Sequence, residues 1–63
     1  MSTHPALVAA TAHEAQAAAL ERRVMMQQTV TEPAARQMIW CLIAAHTDAA
    51  LALRTLAHKD ELP

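Results

Sequence analysis

Apolar residues recur along this chain at spacings of three and four. The first such stripe is Ala6, Ala10, His13, Ala17, Leu20 and Val24. Glu14, Gln16, Glu21 and Arg22 fall mostly off it. That period marks one face of an amphipathic helix. A second segment carries two adjacent stripes. One is Met38, Leu42, Ala45, Ala49, Ala52 and Leu56; the other is Ile39, Ile43, His46, Ala50, Leu53 and Ala57. The opposite side holds Arg36, Gln37, Thr47, Asp48, Arg54, Thr55 and Lys59. A face this wide contacts more than one neighbouring helix.

Two start signals frame these segments. Thr3-His4-Pro5-Ala6 and Thr31-Glu32-Pro33-Ala34 each place a threonine ahead of a proline. Threonine caps helix N-termini, and proline suits the first turn, where its missing N–H is no loss. Glu32 adds a carboxylate at a positive helix end. The reading is a helix over about residues 4–28, a loop near 29–31 and a helix over about 32–58. Thr29-Val30-Thr31, β-branched throughout, breaks the pattern. So short a loop makes the helices antiparallel neighbours, an all-α hairpin.

Composition strengthens this. Glycine, Phe and Tyr are absent, Trp40 is the sole aromatic, and alanine makes up about a quarter of the chain. Strong helix formers dominate, and little material for sheet remains. With 63 residues, two alanine-rich helices bury too little to offset an ordering cost of about 1.5 kcal/mol per residue. Small domains meet that deficit with disulfides, metals or oligomerisation. Cys41 is the only cysteine, which excludes an internal disulfide. The expected solution is a two-fold dimer forming a four-helix bundle. Its core would be Leu20, Val24, Met38, Ile39, Leu42, Ile43, Leu53 and Leu56.

Charge narrows the partners. Five Lys or Arg against six Asp or Glu give a net charge of −1 with no basic stripe. A bulk grip on nucleic acid is not expected. One free cysteine fits a reducing compartment, Met1-Ser2-Thr3-His4-Pro5 lacks the basic region of a signal peptide, and Met38–Leu53 is short for a bilayer span. The expected location is the cytoplasm. Lys59-Asp60-Glu61-Leu62 resembles an ER-retention signal, but Pro63 follows it.

Four constellations bear on function. If the chain turns near Val30, His13 and His46 lie at one level on their apolar stripes, and His4 and His58 meet at the open end. Doubled in a dimer, His13 and His46 have the chemistry to hold zinc, nickel, copper or haem. The plainer expectation is a structural polar layer that fixes register, supported by Glu14. Met25, Met26, Met38 and Cys41 offer soft sulfur for Cu(I), although such residues ordinarily fill cores. Arg22, Arg23 and Arg36 near the loop suit RNA phosphates or an acidic partner, against the ordinary reading of a solvated surface. Trp40 stands on the edge line Arg36, Trp40, Thr47, Leu51, Arg54 and His58. A tryptophan beside arginines and a leucine has the composition of an interface hot spot.

No catalytic signature is present: one cysteine, no serine beyond Ser2, and no glycine for a phosphate loop. The expected function is a non-enzymatic, cofactor-free interaction module, of the kind small phage-borne or accessory bacterial regulators make. It would dimerise and bind a larger protein through Trp40, Leu51, Arg36, Arg54 and Met26. The alternatives are a metal or cofactor bundle built on His13 and His46, and an RNA-binding bundle using Arg22, Arg23 and Arg36.

Overall fold

The computed structural model describes residues 3–26 and 32–61. Helix α1 spans Pro5–Met26 and helix α2 spans Pro33–Glu61, and the two pack along each other as an antiparallel pair. No strand occurs among the described residues. The expected break at Thr29-Val30-Thr31 lies outside them, as do the Thr31 cap and Leu62-Pro63.

Both helices start at their prolines, but the first cap differs from expectation. The ring of His4, not the Thr3 hydroxyl, caps α1: its Nδ1 accepts the Ala6 N–H at 3.0 Å. The His4 carbonyl accepts the amides of Leu7 and Val8. Nδ1 as acceptor puts the proton on Nε2, which donates to Asp60 Oδ2 at 2.8 Å. One neutral imidazole thus caps α1 and ties it to the end of α2. That end reaches Glu61, three residues beyond the expected His58. At the start of α2 the Glu32 carbonyl accepts the Arg36 N–H at 3.0 Å.

The seam between the helices uses the α1 stripe and the Ile39 stripe of α2. Ala6, Ala10, Ala17 and Val24 are buried against Ile43, Ala50 and Ala57. His13, Leu20, Ile39, His46 and Leu53 are half-buried in the same rows. Alanines at this seam let the backbones approach closely, and leave Val24 and Ile43 as the only buried apolar residues larger than alanine among those described. The molecule measures 49 × 19 × 12 Å. Its thinnest dimension is about one helix diameter, so no second layer covers either flank.

That lack of cover has a magnitude. The chain exposes 4916 Å². A compact monomer of its 6.8 kDa exposes about 4000 Å². The excess of roughly 900 Å² is close to what one partner loses in a standard protein interface. On the other α2 stripe Met38 is 67% exposed, Leu42 49% and Leu56 50%, and Val8, Met25, Met26 and Leu51 are open on other faces.

Candidate functional site

Helical spacing of about 100° per residue divides α2 into three lines. The seam line is in the middle. The Met38–Leu42–Leu56 line lies about 100° to one side, and the Trp40–Leu51 line about 90° to the other. In an antiparallel pair each flank of α2 continues onto one flank of α1. The Trp40 side continues onto Glu14, Ala18 and Glu21, and the Met38 side onto Ala9, Gln16 and Leu20. The hairpin therefore has one flank that carries charge at mid-length and one that is mainly apolar from Met38 to Leu56, with Asp60 beyond them on the Leu42 line.

On the charged flank, Arg54 donates from Nε and Nη2 to the two Glu14 carboxylate oxygens at 2.8 and 2.6 Å. This is a bidentate pair across the seam. The Arg54 hydrogen bonds hold the Glu14 carboxyl below the usual carboxylate range, and slight desolvation opposes them. Arg54 shifts upward for the same reason. Glu14, Ala17, Ala18, Glu21, Thr47, Ala50, Leu51 and Arg54 line an open groove along this flank. Arg36 sits further along it and reaches the Val24 carbonyl at 3.4 Å. Both arginines assigned to partner binding thus also tie α2 to α1.

The remaining site residues are placed as follows. Trp40 is 40% exposed, and Leu51 is more open still. Along the helix they stand about 16 Å apart. Met26 is exposed but lies away from them, lining a cleft with Ala19, Arg22 and Arg23 on the outer side of α1. Arg22 and Arg23 share that cleft, and Arg36 is not part of its lining. Cys41 is exposed, and hairpin counting places it level with Ala19, away from any imidazole.

The histidines resolve into two arrangements. His13 Nδ1 and His46 Nδ1 face one another at 2.8 Å, with ring centroids 5.0 Å apart and planes tilted by 39°. The level expected from hairpin counting is observed. Glu14 does not support them, since its oxygens are taken by Arg54. His4 pairs with Asp60 instead of meeting His58, which is exposed. The spacing placed His4 at the open end but not its cap on α1 or its contact with Asp60, because histidine is an uncommon cap. The position of Pro5 as first helical residue was the available signal. Among the described residues no group of three or more His, Cys, Asp or Glu converges within the chain.

α2 is also long and apolar enough, by length and composition, to cross a bilayer, and only 6% of its apolar window is buried in the hairpin. The Met38–Leu53 run alone is shorter than that window requires. His46, Thr47 and Asp48 interrupt it midway, with the Thr47 hydroxyl donating to the Ile43 carbonyl at 2.8 Å.

Comparison with protein-family models, curated proteins and solved structures gives no significant match for this chain.

Proposed function

We propose that the hairpin is a non-enzymatic interaction module that works as a homodimer. In this reading its Met38 flank is sealed by a second copy and its Trp40 flank binds a larger protein. The observation that carries the reading is the contrast between the flanks. An apolar stripe left open along α2 needs a cover, and a second copy supplies a stripe of matching chemistry under two-fold symmetry. The excess exposed area is of the size that one such contact removes.

Side-chain size points the same way. The residues aimed at the seam are mostly alanines. Leu20, Leu42 and Leu53 aim within about 20° of the direction midway between the seam and the Met38 flank. In a four-helix bundle built on that flank, this direction is the bundle centre. In this reading Leu20, Leu42 and Leu53 meet in the dimer rather than in the single hairpin. The opposite flank carries the Glu14–Arg54 pair and Glu21 along its groove. Sealing that side would desolvate charges, at a cost.

Trp40 and Leu51 remain uncovered in such a dimer. A tryptophan half open beside charged groups matches the anchor and rim of a transient interface. Capture from the native host with wild-type and Trp40→Ala protein tests this assignment. A protein retained by the first and lost with the second supports it. One retained equally by both places the partner surface elsewhere. Lipid vesicles test the rival cover for the open stripe: α2 entering the bilayer as a monomer would replace the dimer reading.

A further inference from the structure

We infer that His13 and His46 form half of a four-imidazole site for a divalent transition metal such as zinc or cobalt, completed by the same two residues of a second copy. The inference rests on the dimer reading above and adds a ligand to it. Three observations carry it. First, the two Nδ1 atoms face one another at 2.8 Å. Metal–nitrogen bonds of about 2.0–2.1 Å at tetrahedral angles need the nitrogens about 3.3 Å apart. Separation by about 0.5 Å, with each ring tilted by about 35° off the line between the nitrogens, would turn the hydrogen-bonded pair into two metal ligands. Neutral imidazole presents a lone pair at the acceptor nitrogen, and the donor loses its Nδ1 proton to solvent or shifts it to Nε2 on binding.

Second, the pair is only half-buried, and helical spacing directs both rings within about 20° of the bundle-centre direction shared with Leu20, Leu42 and Leu53. Third, His46 is one residue from the midpoint of the open stripe that runs from Met38 to Leu56. A two-fold axis through the middle of that stripe brings the two pairs to one level. Four nitrogens then surround a point lined above and below by leucine and alanine, a closed structural site for an ion that accepts all-imidazole ligation. One chain alone presents two ligands and no third among the described residues, so the site is incomplete without the second copy.

The test is titration of the full, EDTA-treated chain with Co(II), read by visible absorption and by sedimentation. The expected result is one cobalt per two chains, with the intense bands of four-coordinate Co(II) and a raised melting temperature. His13→Asn and His46→Asn should each weaken cobalt binding by more than the 10–100-fold that loss of a supporting hydrogen bond costs. Helical circular dichroism checks that each variant is folded. Where either fails to fold, the stoichiometry and spectrum of the wild type decide. A dimer that takes up no cobalt, or one six-coordinate cobalt per chain, overturns the site and leaves the dimer reading standing. A chain that remains monomeric with and without cobalt overturns both.

Discussion

The two flanks of the hairpin differ in where charge is placed. On the Trp40 flank, Glu14 and Arg54 join across the seam, and Glu21 lines the groove beside them. On the Met38 flank, Met38, Leu42 and Leu56 lie open with alanines between them. Both helices supply both flanks, so overall hydrophobicity cannot tell them apart. A charged pair on one side disfavours its burial and leaves the other as the cheaper face to seal.

Charge placed on the apolar side should have the largest effect. Ile43→Asp buries an unpaired carboxylate in the seam, and Leu42→Asp puts one on the open stripe. Each should cost several kcal/mol. Ile43→Asp should abolish helical circular dichroism, and Leu42→Asp should dissociate the dimer and lower the melting temperature steeply. Leu51→Asp, the same change on the other flank, should leave dimer and helicity intact. Equal behaviour of Leu42→Asp and Leu51→Asp would erase the distinction between the flanks.

Trp40→Ala should come next. Truncating an interface anchor costs about 2 kcal/mol of binding, roughly thirtyfold in affinity, while sedimentation of the variant should match wild type. Tryptophan fluorescence reads the same point without a partner: accessible quenching agrees with a half-exposed indole, and blue-shifted, quencher-resistant emission would move Trp40 into the dimer core.

The smallest effect concerns Glu14. Its carboxyl titrates below the ordinary range in the folded chain because Arg54 binds the charged form. The pair's contribution is therefore full above the unfolded carboxylate range and is lost as pH falls through the depressed folded value. Both partners are about half exposed, so the contribution is small and screened by salt. The melting temperature of wild type relative to Glu14→Gln should narrow in acid and in high salt. A difference that persists under both conditions would assign Glu14 another role.

Much of this architecture was legible in the residues. Pro5 and Pro33 set the helix starts because only there is a missing N–H harmless. The stripe from Ala6 to Val24 marked the α1 side of the seam because apolar spacing and helical pitch share one period. Counting back from the turn levelled His13 with His46. The rest depended on rotation of one helix against the other, which one-dimensional spacing does not contain. Two α2 stripes were equally apolar, and only packing shows which one meets α1. The Glu14–Arg54 pair joins residues forty apart whose side chains meet only at this rotation. The His4 cap arose because a ring nitrogen happened to reach an amide usually served by a hydroxyl.

Sedimentation equilibrium at micromolar concentration, combined with thermal unfolding over a range of concentrations, tests the central claim most directly. Sealing of the Met38 flank by a second copy predicts twice the chain mass and a melting temperature that rises with concentration. A folded monomer of 6.8 kDa, melting at one temperature at every concentration, would contradict it.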